Sequence, residues 1–203
     1  MRNVTETVKQ LIIVNVLFFV GTLIVGQPAY EILSMYFPEN PDFQGWQPLT
    51  HMFMHGGFMH LFFNMFALYS FGSALESMWG SKKFLFFYIS CGFGAALLHT
   101  GINYYYYQEG LNILMEHGYS KAETLTVLNG RGSAEIISIL NSSSFKDFVS
   151  AYYGTVVGAS GAIYGVIVAF AFMFPNAELA LMFIPVPIKA KYFVPGLVLV
   201  DLY

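Results

Sequence analysis

The sequence predicts an all-α protein, a bundle of helices that crosses a membrane several times. Of the 203 residues, 56% are hydrophobic and 18% aromatic, whereas only 10% are charged. A typical soluble domain is about 25% charged, so this chain carries too little charge to cover a surface that faces water. Apolar stretches also recur at about the 20-residue length that a helix needs to cross the hydrocarbon core. The lipid bilayer is therefore an expected partner, and the net charge of −3 gives no indication of nucleic acid.

Four spans and part of a fifth are predicted within one domain, residues 1–203. The apolar stretches cover about residues 8–26, 58–78, 83–103, 152–174 and 192–203. The last is too short to cross a bilayer at about 1.5 Å per residue, so we expect it to be incomplete. The longest polar part, residues 104–150, has apolar positions at helical spacing, which predicts an extramembrane helical insert.

The positions of Lys and Arg predict the orientation of the bundle. Six basic residues flank the predicted spans on one side, namely Arg2, Lys9, Lys82, Lys83, Lys189 and Lys191. Basic residues favour the cytoplasmic side of a membrane. The N-terminus is therefore expected in the cytoplasm of a cell-membrane protein. The first loop, residues 27–57, and the insert are expected outside, with Tyr104–Tyr107 anchoring the outer end of the third span.

A group of polar side chains interrupts the apolar stretch at residues 50–64. It consists of His51, His55, His60 and Asn64. The last two are four residues apart and share one helix face, and polar groups inside a span are costly and usually functional. Histidines at this spacing can hold zinc or iron. The chain has only two further histidines and no intramembrane carboxylate at matching spacing, so no metal and no cofactor are predicted.

The second unusual stretch is GTVVGASGAIYG, residues 154–165. Its glycines are spaced four apart, and such rows of small residues let membrane helices pack closely. The alternative is that Ser160, which lies between small residues, is an exposed nucleophile. From the residues alone, His55 or His60 would then be the general base.

Together the two stretches resemble the rhomboid family of intramembrane serine proteases. The residues that carry the resemblance are, in order, Trp46, His51, His55, His60-Leu61, Asn64-Met65, Gly158-Ala159-Ser160-Gly161 and Tyr164. The resemblance implies a rhomboid-like bundle of six spans, about five of which are present here. It also implies a serine endopeptidase that cleaves membrane-anchored protein substrates and needs no cofactor.

The resemblance assigns the catalytic roles to three residues. Ser160 would attack the scissile carbonyl. His60 and Asn64 would donate hydrogen bonds to the oxyanion, together with the backbone N–H of Ser160. Donors aimed at a developing charge are the main source of rate enhancement in such a site.

Other matching residues would line the cavity or support the fold. Gly158 would leave room for substrate, and Tyr164 would stack on the catalytic imidazole. His55 would border the same cavity. Glu76 matches a carboxylate that the family uses structurally.

The sequence departs from the family pattern in two places. The family's base is a histidine on a sixth span, which residues 1–203 do not contain, and Gln47 stands where the family has an arginine after the loop tryptophan. We therefore expect little or no proteolysis from this chain alone and peptide-bond hydrolysis from a longer parent protein. The alternative is a catalytically inactive relative that binds membrane clients.

Overall fold

The computed structural model describes residues 4–126, 128, 139, 142–181 and 184–201. Its helices are α1 (Glu6–Val25), α2 (Gln27–Leu33), α3 (Gln47–Thr50), α4 (Phe58–Ala67), α5 (Ser73–Trp79), α6 (Ser81–Glu116), α7 (Lys121–Thr126), α8 (Ser142–Tyr153), α9 (Ser160–Met173) and α10 (Ala190–Asp201). A 3-10 turn, His51–Phe53, follows α3, and a π-helical turn, Leu68–Gly72, joins α4 to α5. Strands β1 (Glu178–Leu181) and β2 (Ile184–Lys189) form an antiparallel hairpin before α10.

Among the described residues, three helical segments are long and apolar enough to cross a membrane. They are Glu6–Val25, Phe58–Trp79 and Ser81–Glu116, and they overlap the first three predicted spans. The predicted class, a helical membrane bundle, is therefore confirmed. The β1–β2 hairpin is an addition that the sequence analysis did not predict.

The fourth predicted span differs most from the structure. A single helix was predicted over about residues 152–174, but α8 ends at Tyr153 and α9 begins only at Ser160. The connecting segment contains Gly158 at φ +128°, a conformation that interrupts a helix and that glycine adopts more readily than other residues. Helix α9 has 14 residues and is about 21 Å long, shorter than the roughly 30 Å hydrocarbon core.

The insert begins as a continuation of the third span. Helix α6 does not end near residue 103 but runs for 36 residues to Glu116, where Gly118 adopts φ +88° just beyond the helix end, as glycine often does there. Tyr107 is fully buried, whereas the three tyrosines before it are exposed. Residues 127, 129–138, 140 and 141 of the predicted insert lie outside the described residues.

Two buried clusters organise the packing. The larger one joins α1, α4, α5, α6, α9 and α10 through side chains such as Val8, Leu11, Leu61, Leu75, Phe84, Val166 and Val194. The smaller one contains Phe37 of the first loop together with Tyr107, Leu111, Leu114, Leu128, Phe148, Ala151 and Tyr152. The insert therefore packs back onto α6 and onto the first loop.

Helix α9 packs closely against α6 through small residues. A Cβ atom on Gly161 would lie 2.5 Å from Cβ of Ala95, and one on Gly165 would collide with Sγ of Cys91. Because 161 faces 95 and 165 faces 91, the two helices run antiparallel. Close packing through small residues is thus the role of this glycine pair, whereas Gly154 and Gly158 precede the helix.

A buried carboxylate joins α5 to the start of α1. Glu76 is 4% exposed, and its carboxylate accepts hydrogen bonds from the backbone N–H groups of Thr7 and Val8, both at 2.9 Å. The hydroxyls of Thr5 and Ser81 also donate to it. The first N–H groups of a helix have no partner within the helix, so Glu76 supplies the acceptors that α1 lacks. This agrees with the structural role that the resemblance implies.

Candidate active site

The first loop is fixed by the side chain of Gln47, which is fully buried. Its Oε1 accepts from the backbone N–H of Gln44 at 3.0 Å and of Tyr36 at 3.3 Å. Its Nε2 donates to the carbonyl of Asp42 at 3.0 Å. A neutral amide therefore orders the loop at the position where the family pattern has an arginine.

The loop is held against α6 by Met52. The Met52 side chain occupies the space that a side chain on Gly92 would take. His51 is 4% exposed, and its Nδ1 lies 2.9 Å from the carbonyl of Gln47. His51 therefore contributes to fixing the loop.

His55 and His60 form an edge-to-face pair. Their ring centroids are 5.0 Å apart, with an interplanar angle of 66°. His55 is fully buried; its Nδ1 lies 3.3 Å from the carbonyl of Phe53, and its Nε2 has no hydrogen-bond partner among the described residues. The hydroxyl of Tyr30 donates to the backbone carbonyl of His55 at 2.9 Å. His55 therefore sits in a fixed position against the ring of His60.

Three of the predicted site residues meet at Gly158. A Cβ atom there would lie 2.9 Å from both Cε1 and Nε2 of His60 and 3.5 Å from Oγ of Ser160. The absence of a side chain therefore lets the imidazole of His60 lie beside the serine. Ser160 is the first residue of α9, so its hydroxyl lies at a helix N-terminus, where the helix dipole favours negative charge.

The segment before the serine is attached to the first loop by backbone hydrogen bonds. Val156 and Met35 exchange two N–H···O bonds of 3.0 Å, and the N–H of Gly158 donates to the carbonyl of His51 at 2.8 Å. Sequence reasoning missed this pairing because it depends on backbone geometry and leaves no side-chain pattern.

The structure does not bring every predicted residue to the serine. The amide Nδ2 of Asn64 donates to the backbone carbonyl of His60 at 2.9 Å, within α4. Tyr164 lies one turn after Ser160 on α9 and is half-buried. The oxyanion role of Asn64 and the stacking role of Tyr164 remain predictions.

The described residues show neither a histidine hydrogen-bonded to the serine nor a metal-binding cluster at the site. Within the described ranges, the hydroxyl of Ser160 makes no hydrogen bond to His55 or His60, the two bases considered from the residues alone. Nor do three His, Cys, Asp or Glu side chains of the described part converge as metal ligands. What the arrangement offers is an imidazole beside a serine at a helix N-terminus, which suits hydrogen-bond donation to an anion on that serine.

The environment of His55 predicts a pH-dependent stability. Burial, with the neighbouring His60 as the second cause, lowers the pKa of His55 to about 4, against about 6.5 in an unfolded chain. At a pH between these two pKa values, His55 is largely protonated in the unfolded state and largely neutral in the folded state. Stability is therefore expected to fall as the pH decreases from about 6.5 towards 4.

Thermal unfolding in detergent between pH 7.5 and 4 would measure this effect, with His55→Gln compared to the parent. We expect the variant to lose less stability on acidification. Some dependence should remain, because burial also lowers the pKa of His51. The matched control is His117→Gln at an exposed histidine, which should follow the parent. Parallel curves for the parent and His55→Gln would contradict the assignment.

Comparisons with known proteins agree with the helical membrane bundle. A rhomboid domain matches residues 42–202, from the first loop into α10 and beyond. The chain is 27% identical over 135 residues to Rhomboid protein 1, mitochondrial, of Saccharomyces cerevisiae, covering 66% of this chain and 27% of the yeast protein. It is 32% identical over 73 residues to Rhomboid protease GlpG of Klebsiella pneumoniae, covering 36% and 26%. It is 47% identical over 47 residues to Rhomboid protease GluP of Bacillus subtilis, covering 23% of this chain and 9% of that protein.

The matched part spans at most 27% of the length of these relatives. Because the rhomboid domain match covers most of this chain, the chain belongs to the rhomboid family.

Proposed function

We propose that the full-length protein is an intramembrane serine endopeptidase that cleaves membrane-anchored proteins, with Ser160 as the nucleophile. The observation that carries the proposal is the approach of His60 to Ser160 across Gly158. The names of two relatives, Rhomboid protease GlpG and Rhomboid protease GluP, support the same reaction.

The depth of Ser160 supports a reaction inside the membrane. Gly161 lies level with Ala95 of α6, and Ala95 is about 21 Å from the start of α6 at 1.5 Å per residue. A hydrocarbon core is roughly 30 Å thick, so the serine would lie below the membrane surface. A polar site at that depth needs a cavity enclosed by protein, which the first loop and α4, α6 and α9 would provide.

In the proposed reaction, Oγ of Ser160 attacks the carbonyl carbon of the scissile bond, and an acyl-enzyme forms as the amine leaves. The imidazole of His60 and the N–H of Ser160 stabilise the oxyanion, with Asn64 as a further donor. A histidine outside residues 1–203 takes the proton of the serine and passes it to the leaving amine. Water then hydrolyses the ester through the same base. Tyr164 would contact that histidine, and His55 would hold the ring of His60.

The proposed orientation places this site towards the outer surface. Lys82 and Lys83 lie at the start of α6, at the end of the bundle away from Ser160. Basic residues favour the cytoplasmic side. The N-terminus would then be cytoplasmic, and the first loop and insert would face outward in the cell membrane.

Reconstitution of the full-length protein in liposomes with single-span reporter proteins tests the function. We expect cleavage of a reporter at one peptide bond, identified by the masses of both products, and labelling of Ser160 by a fluorophosphonate. Stable reporter binding with neither cleavage nor labelling would contradict the proposal and indicate an inactive client-binding relative.

Gly158→Ala is expected to lower kcat/KM by about a hundredfold or more, since small misplacements of reacting groups have effects of this size. The new Cβ atom would lie 2.9 Å from the ring of His60, at a φ of +128°. Reporter cleavage rates would measure the loss. The matched control is Gly45→Ala, where an added Cβ atom meets nothing within 4 Å. A Gly158→Ala rate within twofold of the parent would show that the close approach has no catalytic importance.

A further inference from the structure

Helix α8, which contains the end of the insert, is joined to the first loop by a buried side chain. Asn40 is 3% exposed, and its Nδ2 donates to the carbonyl of Tyr152 at 2.9 Å. Tyr152 lies in the last turn of α8, where helix carbonyls have no partner within the helix. The Oδ1 atom of Asn40 accepts a hydrogen bond from the backbone N–H of Asp42 at 2.9 Å. One amide thus orders a turn of the first loop and binds the end of α8.

Aromatic packing strengthens the same junction. Phe37 of the first loop lies against Tyr107 of α6, with ring centroids 5.2 Å apart. Tyr107 in turn stacks on Phe148 and Tyr152 of α8, at 5.7 Å and 5.9 Å. All four of these side chains are buried. The loop and the insert therefore share one apolar core beside the Asn40 bond.

The junction lies directly before the nucleophile in the chain. Only Tyr153 and the segment 154–159 separate Tyr152 from Ser160. Within that distance the first loop holds the chain at three points. They are the Asn40 bond to Tyr152, the Met35–Val156 pair and the bond from Gly158 to His51.

We propose that α8 acts as a positioning element, with Asn40 as the positioning residue that fixes the end of this helix to the first loop and so sets the position of residues 154–159 relative to His60. Because α8 leads into this segment without a break, a shift of its end would move Val156 and Gly158 along the loop. The activity part of this inference rests on the proposed function, whereas the structural part does not.

Two substitutions separate the contributions of the Asn40 amide. Asn40→Asp keeps an oxygen acceptor for Asp42 and removes the donor to Tyr152, whereas Asn40→Ala removes both. The matched control is Lys121→Ala. Lys121 also joins the insert to the loop, through a 2.8 Å ion pair with Glu39. That pair is exposed, and exposed ion pairs contribute little.

Hydrogen exchange of the full-length protein in detergent reports how firmly residues 154–159 are held. We expect Asn40→Asp and Asn40→Ala to speed exchange by about tenfold in peptides covering 154–159, the order expected for loss of one buried hydrogen bond. Peptides of α1 and α4 should remain unchanged, as should all peptides of Lys121→Ala. Parent-like exchange at 154–159 in Asn40→Asp would overturn the proposal, and so would equally faster exchange throughout the bundle or in Lys121→Ala.

Reporter cleavage provides the second readout. Both Asn40 variants are expected to lower kcat by about tenfold with KM unchanged, because they displace the serine and not the substrate. A rise in KM with kcat unchanged would contradict positioning. If the parent protein cleaves no reporter, the proposed function fails. The hydrogen-exchange data still decide whether Asn40 fixes the position of residues 154–159.

Discussion

Ser160→Ala is expected to abolish reporter cleavage by the full-length protein, with a rate loss of at least about 10⁴-fold. Removal of a serine nucleophile has effects of this order or larger, because the remaining donors cannot form the acyl-enzyme. The substitution removes one oxygen atom at the first position of α9, and alanine favours a helix. The loss should therefore appear without unfolding. The measurement is the initial rate of product formation in liposomes.

The control for this prediction is Ser90→Ala, which changes an exposed serine of α6 and should keep the parent rate. Binding provides a second comparison. Ser160→Ala should still retain the uncleaved reporter, since most of the binding surface is unchanged, and fluorophosphonate labelling should disappear. Cleavage by Ser160→Ala above about 1% of the parent rate would exclude Ser160 as the nucleophile, since it exceeds the residual activity of such variants.

The sequence was sufficient to predict the membrane bundle and the meeting of His60 with Ser160. The bundle depends on local signals, whereas the meeting of the two residues was implied by the family resemblance. Low charge and apolar stretches of sufficient length predict membrane spans. Polar side chains inside such stretches are rare and therefore indicate candidate functional residues. The resemblance then connected two stretches that are almost a hundred positions apart, a connection that neither stretch contains by itself.

The details that set the site were beyond the sequence because they depend on contacts between distant residues. The break between α8 and α9 could not be distinguished from a continuous glycine-rich span. It depends on the conformation of Gly158 and on its bond to His51. Asn40 gave no signal either, because its partner Tyr152 lies 112 positions away and offers only a backbone carbonyl. Gln47 was noticed only as a departure, although its amide orders the loop.

Glu76→Gln is expected to destabilise the protein by about 2–4 kcal/mol, because a buried charged acceptor that serves several donors is replaced by an amide. The carboxylate accepts from two backbone N–H groups of α1 and from the hydroxyls of Thr5 and Ser81. Glutamine has the same shape but only one acceptor oxygen, and its NH₂ group would face a donor. The unfolding free energy in mixed detergent micelles would measure the loss.

The matched control is Glu6→Gln at the first position of α1. Glu6 is exposed and, within the part of the chain that the structure describes, accepts a hydrogen bond from Gln10 alone, at 3.2 Å. Its replacement should therefore change stability by less than about 0.5 kcal/mol. If Glu76→Gln were no more destabilising than Glu6→Gln, the buried cap would have no energetic importance. The expected difference has a local origin: without acceptors, the N–H groups of Thr7 and Val8 remain unpaired in a buried position. Helix α1 should therefore detach first, and hydrogen exchange in α1 should rise before exchange in α6 or α9.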